Sequence, residues 1–531
     1  MMVSLQHPAR TLVPEHEPAP AGPQETQRRA GRMSARARLA LLTAMGVGAL
    51  LRLVNLNTFG LNSDEVVYAG QAASLAGNPV YTEMFPVFRA HPMLVQTLLS
   101  FVYGTGEPDI AGRFVVAAIG VATVGVVYLL GCELYDRRTG LLAAALIAVL
   151  PYHVLVTRQI LLDGPMVLFA TTTLLYVARY GRSGRVVWLL AAGGAMGLTL
   201  LAKESSLVLL GGVYAFLALT PQLRRPILGA LGALGVMVAV FAVHPVTQAL
   251  SGHAETGQSY LVWQLLRPAN HGWEFYAVTV PPVLGPLVLI AALAAVWRPR
   301  RDGAWREILL VTWILAPVLF FELWPVKGFQ YLLPVAPAVA VLAARGVLRL
   351  PDRVTVLGRV APRRGGLRVV VGGIVLLSVL AGSVQHVVGG GGTQFLAGTG
   401  GVPGGREVGH WLGAQTPQGA TILTLGPSMA NIVSFYGHRQ AYGLSVSPNP
   451  LHRNPAYTPI VNPDRSLRQG DLQYVVWDAY SAARSSHFAE KLLVLAQRYH
   501  GRIVHTEYVE GTDEADPSTR IPVIVVYEVR P

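Results

Sequence analysis
The chain has 531 residues, of which 52% are hydrophobic and only 13% charged, and its mean hydropathy is +0.44. A soluble domain carries about 25% charged residues, so this composition excludes a soluble enzyme and a disordered chain and points to a multi-span membrane protein. The net charge of +13 does not indicate nucleic acid, because its basic residues are spread between apolar runs and only Lys203, Lys327 and Lys491 are lysines. Arginine in short loops is the signature of membrane orientation instead. The lone Cys132 excludes a disulfide framework and any Cys-based zinc or redox motif.

Residues 1–38 are rich in Pro, Glu, Gln and Arg without an apolar period, and read as a disordered cytoplasmic tail. The apolar stretch beginning at Leu39 has no small-residue exit site, so it is not a cleaved signal. Runs long enough to cross roughly 30 Å of hydrocarbon predict spans near 37–56, 112–132, 140–157, 165–180, 186–203, 205–221, 226–246, 279–297, 307–323, 330–346 and 368–387. Segment 92–104 is too short to span and reads as a juxtamembrane helix on the outer interface. Eleven crossings from an inner N-terminus leave the C-terminus outside. The tail and predicted cytoplasmic loops then hold 24 basic residues, and the outer side of the membrane region only seven: Arg52, Arg89, Arg113, Arg158, Lys203, Arg267 and Lys327. Gly-rich residues 389–404 form a linker. Residues 405–531 read as a small extracytoplasmic α/β domain, with strands near 420–425, 473–477 and 521–529 and helices near 407–414 and 482–499. The expected fold is thus an α-helical polytopic protein of the plasma membrane. Its transmembrane domain covers residues 39–388, its first outer loop 57–111, and the α/β domain follows.

The few outer acids stand out. Asp64 and Glu65 follow the first span in Gly60-Leu-Asn-Ser-Asp-Glu-Val-Val-Tyr68, and Asp163 lies in Arg158-Gln-Ile-Leu-Leu-Asp-Gly-Pro165. Each site also fits a plain helix start: Asn62, Ser63 or Asp64 as a cap in the first, a turn before Pro165 in the second. Placing both acids on one side of the membrane makes a shared site possible, which neither motif alone could show. Among the cations, Arg52 reads as an arginine snorkelling to headgroups. Arg89, His91, Lys203 and Lys327 each adjoin a Pro, an acid or an aromatic, and a ring of such groups suits an anionic phosphate. The chain has no P-loop, dinucleotide Gly pattern, HExxH or acid-x-acid metal motif. His253 and His271, in the expected outer loop 247–278, read as solvated.

These residues carry a resemblance. Asp64-Glu65 with Tyr68, then Arg89-Ala-His-Pro-Met-Leu94, is similar to the first outer loop of GT-C-type membrane glycosyltransferases, such as the protein O-mannosyltransferases and the lipid A aminoarabinose transferases. The similarity continues through Arg113, Pro151 to Asp163 with Arg158, Gly197-Leu-Thr-Leu-Leu-Ala-Lys203 and Lys327-Gly-Phe-Gln-Tyr-Leu-Leu-Pro334, covering roughly residues 37–346 in the family's order. His91-Pro-Met-Leu94 stands where His-Pro-Pro-Leu is common, and Gln330-Tyr331 where a basic residue before Tyr is common.

The resemblance implies an inverting glycosyltransferase acting in the cell envelope, with protein glycosylation one of its settings. It would move a sugar from a polyprenyl-phosphate donor to an acceptor hydroxyl on a protein, lipid or glycan at the outer face. It places Asp64, Glu65 and Asp163 in the catalytic set, with Asp64 as the base and Asp163 orienting the acceptor or a basic neighbour. Arg89, His91, Arg158, Lys203 and Lys327 would bind the donor phosphate, and Tyr68 and Tyr331 the substrate. No cofactor is indicated, although a divalent metal is left open. Partners are the lipid donor, the acceptor and membrane lipids. The competing class is a polytopic transporter or flippase of a lipid-linked sugar, which would carry ionisable groups near the midplane.

Overall fold
The computed structural model describes residues 33–87, 91–103, 110–221, 223, 227–252, 254–297, 304–350, 355–356, 359–360, 366–389, 401–509 and 520–531. Helix α1 (Ala35–Leu53) begins inside the stretch read as tail, capped by the Ser34 hydroxyl accepting the Ala37 N–H. The next long apolar helices are α5 (Ala111–Leu134), α6 (Arg137–Val149), α8 (Asp163–Ser183) and α9 (Val186–Ala202). Three further helices, α2 (Ser63–Leu75), α3 (Pro79–Met84) and α4 (Leu94–Ser100), lie between α1 and α5, and α7 (Pro151–Val156) follows α6. Beyond α9 come α10 (Leu209–Leu219), α11 (Ile227–Phe241), α12 (Val243–Leu250), α13 (Ala254–Leu266), α14 (Phe275–Leu284), α15 (Pro286–Val296), α16 (Trp305–Leu323), α17 (Val335–Leu348) and α18 (Gly366–Val388).

Among the described residues, three helical stretches are long and apolar enough to cross a membrane alone: Ala111–Leu134, Ile227–Leu250 and Gly366–Val388. Several expected spans are interrupted for legible reasons. Pro151 lacks an amide hydrogen and starts α7 after the extended Leu150, which divides the run read as 140–157. The run read as 279–297 bends by 91° between α14 and α15. Pro281 and Pro282 weaken the end of α14, and Gly285 at φ +84° takes a conformation that costs a side-chain residue dearly. The stretch read as outer loop 247–278 is largely helical, through α12 and α13. Helices α9 and α11 touch closely because Gly193 and Gly197 stand one turn apart. A Cβ on either would meet the Ala233 or Met237 carbonyl at 2.2 or 2.9 Å.

Charged contacts sort into two groups at opposite ends of the expected spans. Glu133 near the end of α5 pairs with Arg179 and Arg182 near the end of α8, and Arg349 pairs with Glu307. These are loops read as cytoplasmic. The other group joins Glu65 to Arg113, Asp163 to Lys203 and His91 to Glu204. Arg52 departs from the snorkelling expectation, because it is wholly buried. Its guanidinium donates to the Gly48 and Ala148 carbonyls and the Thr157 hydroxyl, and its Nη2 lies 2.6 Å from His153 Nδ1. A buried arginine needs such a full set of acceptors, and this one locks α1 to α6 and α7.

Residues 401–509 and 520–531 build a five-stranded sheet in the order β4-β3-β5-β7-β6, the two-residue pair Thr355–Val356 (β1) and Arg359–Val360 (β2) lying apart from it. Its strands are β3 (Thr421–Thr424), β4 (Gln440–Gly443), β5 (Tyr474–Asp478), β6 (Arg502–Val509) and β7 (Ile521–Glu528). Strand β3 runs parallel to both β4 and β5, with Ile422 opposite Ala441 and Tyr474, while β7 is antiparallel to β5 and β6. Helices α19 (Gly405–Gln415), α20 (Pro427–Gly437), α21 (Pro463–Arg468), α22 (Ala479–Ala482) and α23 (Ser486–Arg498) complete this unit. Helix α20 packs on α2. There the Leu61 amide donates to the Tyr436 hydroxyl at 2.8 Å, and Asn431 Nδ2 to Ser63 Oγ at 3.3 Å. Arg406 donates to the Asn57 side chain and carbonyl. The C-terminal unit therefore sits directly on the segment that carries Asp64.

Candidate active site
The start of α2 decides the roles of its two acids. Asn62 is the cap: its Oδ1 accepts from the Asp64 and Glu65 amides, and Glu65 Oε2 reaches back to the Asn62 amide, a capping box. Glu65 is completely buried. Arg113 Nε donates to its Oε1 at 2.7 Å and Arg113 Nη2 to its Oε2 at 2.6 Å, and the Ile160 amide adds a further bond to Oε1. Glu65, expected beside the base, is thus the anchor that ties the first outer segment to α5. Asp64 is left half-buried, and its carboxylate makes no hydrogen bond or ion pair among the described residues. Burial raises its pKa, opposed by the charges of Lys203, His91 and Arg267 and helped by Glu65.

Asp163 is the first residue of α8, where the helix N-terminus favours an anion. Lys203, just past the end of α9, donates to both Asp163 oxygens at 2.8 Å and lies 4.6 Å from the centre of the Tyr331 ring. His91 Nδ1 lies 2.9 Å from Glu204 Oε1, and its Nε2 lies 3.2 Å from the Tyr260 hydroxyl. Its ring meets those of Tyr68 and Tyr260 edge-on. Asp64 and Asp163 both act electrostatically on Tyr68 and Tyr331, so the two acids, Lys203, His91 and both tyrosines form one cluster.

Two expected phosphate ligands lie elsewhere. Lys327 places its ammonium on the Phe321 and Glu322 carbonyls, at 3.3 and 2.6 Å, and so closes the C-terminus of α16. Arg158 donates to the Val54 carbonyl, in a separate crevice of about 640 Å³ beside Arg113 and His386. Arg89 and His253 lie outside the described residues. His271 stacks on Phe275, with ring centres 4.1 Å apart.

Sequence reasoning missed Glu204, Tyr260, Arg267 and Arg484. Glu204 follows Lys203 directly at the end of an apolar run, which was a usable signal. Arg267 stacks on Trp263 and acts on Asp64 and Tyr331, yet no motif marks it. Arg484 comes from the C-terminal unit and is within electrostatic reach of Asp64. Among the described residues no three His, Cys, Asp or Glu are grouped to hold a metal ion. The site's acids are also a poor donor set: Lys203 takes both oxygens of Asp163, Arg113 both of Glu65, and His91 lies on Glu204.

A many-helix membrane region with acids and cations gathered at one end, under an α/β unit, is the arrangement of the GT-C fold, and comparison with known proteins bears out that resemblance. Residues 90–248 match the family model of the dolichyl-phosphate-mannose-protein mannosyltransferases. An undecaprenyl phosphate-alpha-4-amino-4-deoxy-L-arabinose arabinosyl transferase of Sodalis glossinidius (strain morsitans) is 32% identical over 173 residues, a match spanning 30% of either protein. In structure the chain is similar to ArnT from Cupriavidus metallidurans, solved bound to undecaprenyl phosphate. The TM-score is 0.64 at 15% identity, over 93% of this chain and 98% of that one. It is also similar to the archaeal oligosaccharyltransferase AglB from Archaeoglobus fulgidus, solved with an inhibitory peptide and a dolichol-phosphate. There the TM-score is 0.56 at 14% identity, over 92% of this chain and 76% of that one. These likenesses give the chain the fold of the GT-C glycosyltransferases.

Proposed function
We propose that the protein is an inverting glycosyltransferase that moves a sugar from a polyprenyl-phosphate donor to an acceptor hydroxyl at the outer membrane face. The observation that carries this reading is the pair of acids. The Asp64 carboxylate has no hydrogen-bond partner among the described residues and faces cations, beside an Asp163 already neutralised by Lys203. Asp64 takes the proton of the acceptor hydroxyl as its oxygen bonds to the anomeric carbon. The bond from that carbon to the donor phosphate oxygen breaks, and the polyprenyl phosphate leaves with the electron pair. Its charge is met by Arg267, His91 and Lys203. A single displacement inverts the anomeric carbon. The names and titles of the relatives, which include undecaprenyl phosphate and dolichyl-phosphate-mannose, support this donor class. Clustering of the ionisable groups at one end of the helices favours it over a transporter. The deciding experiment is sugar transfer from purified polyprenyl-phosphate sugars by the wild type and an Asp64 variant.

In this reading the loops rich in arginine face the cytoplasm and residues 405–531 lie outside, beyond the 39–388 membrane domain and the 389–404 linker. Lys491 is exposed on α23. In a Cys132→Ser background, Lys491→Cys in intact cells should react with an impermeant maleimide. Protection until lysis would reverse the topology and move the site to the other face.

The buried Asp163–Lys203 pair makes a separate prediction. Lys203→Met leaves a buried carboxylate without its partner, which costs about 3–5 kcal/mol. Asp163→Asn in the same chain should restore much of the stability, though not donor affinity, when thermal unfolding and undecaprenyl-phosphate binding are measured together. If the double variant recovered both, Lys203 would serve only Asp163.

A further inference from the structure
The C-terminal unit contains a crevice that the proposed chemistry does not use. Strand β3 is followed by α20 and then by β4 on one side of it, and the chain later returns to β5 on the other side. The carboxyl ends of β3 and β5 therefore flank a point where successive connections diverge. In sheets of this kind ligands bind at such points. An open crevice lies there, lined by Gly426, Ser445, Asp478 and Ser481 together with the apolar Leu425, Met429 and Ile432, and it reaches Ser63 and Arg484.

Three independent features mark it as a built site. Asp478 is 1% exposed; its Oδ1 accepts the Ser481 amide at 2.7 Å, while its Oδ2 is buried with no partner among the described residues. An orphaned carboxylate oxygen at the end of a core strand is costly unless a ligand supplies a donor. Gly426 has φ −137° and ψ 167°, an extended backbone that any residue adopts. Its lack of a side chain has a steric effect instead: a Cβ there would stand 3.4 Å from Ser445 Oγ and 3.6 Å from Ser481 Oγ, in the opening itself. Finally, Ser63 immediately precedes Asp64, and Arg484 feels the charge of both Asp64 and Asp478, so crevice and base are neighbours.

We propose that this crevice is the acceptor subsite and holds a sugar ring of a glycan acceptor, whose hydroxyls donate to Asp478 Oδ2 and exchange hydrogen bonds with Ser445 and Ser481. This rests on the glycosyltransferase reading above. The chemistry favours a neutral polyhydroxylated group. A buried carboxylate repels a phosphate, and the unpartnered Asp478 oxygen needs a hydroxyl donor, which an acyl chain lacks.

The test uses the full chain in lipid nanodiscs with three probes: methyl α-D-mannopyranoside, methyl α-D-glucopyranoside and methyl α-D-arabinofuranoside. Binding is read by saturation-transfer NMR, with inorganic phosphate as a competitor. At least one glycoside should bind the wild type and resist phosphate. Gly426→Val should abolish that signal by filling the opening, and Asp478→Asn, which keeps the bond to Ser481 but turns the free acceptor into a donor, should weaken it about tenfold. Undecaprenyl-phosphate binding should not change in either variant, and neither should lose thermal stability. Glycoside binding that is absent from the wild type, displaced by phosphate, or equal in both variants overturns the proposal. Asp64→Asn should still bind the glycoside while losing sugar transfer, so the two readings are tested apart: the subsite by the NMR signal, the base by transfer in a variant whose glycoside binding is intact.

Discussion

Asp64→Asn is expected to lower sugar transfer by about 10²–10⁴-fold, the range for losing a positioned general base. The fold should survive, because Asn62 and not Asp64 caps α2. Donor binding should also persist, since His91, Lys203 and Arg267 are untouched. The pH profile gives a second readout. The base works only when ionised, so turnover falls as pH drops through the Asp64 pKa. Burial raises that pKa against the opposing charges of Lys203, His91 and Arg267, with Glu65 adding to the rise. The acidic limb of the rate profile should therefore stand above the 3.8 of an ordinary aspartate. Asp64→Asn should flatten it. Near-normal turnover in this variant would remove Asp64 from the chemistry, and lost stability would return it to a structural role.

Arg113→Leu should destabilise the protein by about 3–5 kcal/mol, because it strands a fully buried Glu65 and also frees the Leu56, Phe59 and Gly60 carbonyls that Arg113 holds. Glu65→Gln should act in the same direction with a smaller loss, since the amide keeps one acceptor oxygen. The adjacent acids then separate cleanly: Asp64→Asn impairs turnover at constant stability, whereas Glu65→Gln impairs stability first. Thermal unfolding alongside the transfer assay distinguishes them. A Glu65 variant as stable as the wild type but inactive would exchange the roles.

The sequence made the long spans legible where one apolar run met no interruption, as in Ala111–Leu134 and Gly366–Val388. It hid the right-angled break at Gly285, although Pro281-Pro282 announced one, because mean hydropathy does not register backbone geometry. The acids were legible for a local reason: a charge at the end of an apolar run is conspicuous. Their separate roles were not, since Glu65 is fixed by an arginine 48 residues away and Asp64 is distinguished by what it lacks. The same blindness to distance misplaced Arg52 and Lys327. Both stand at span ends and look alike in sequence, yet one meets Thr157 and His153 and the other the carbonyls closing α16. Arg484 could not have been found, because only the docking of the C-terminal unit brings it near Asp64.

The contacts of Leu61 with Tyr436 and of Ser63 with Asn431 join residues more than 360 positions apart. A ribosome making this chain inserts the first helix and exposes Asp64 long before it has made Asn431. Until the C-terminal unit is synthesised and folded against it, α2 has no cover and its carboxylate no Arg484 nearby. Nascent and truncated chains would thus sit in the bilayer without a finished reaction chamber. In the proposed function, competence would await the fold of residues 427–484, and sugar transfer would not begin before it.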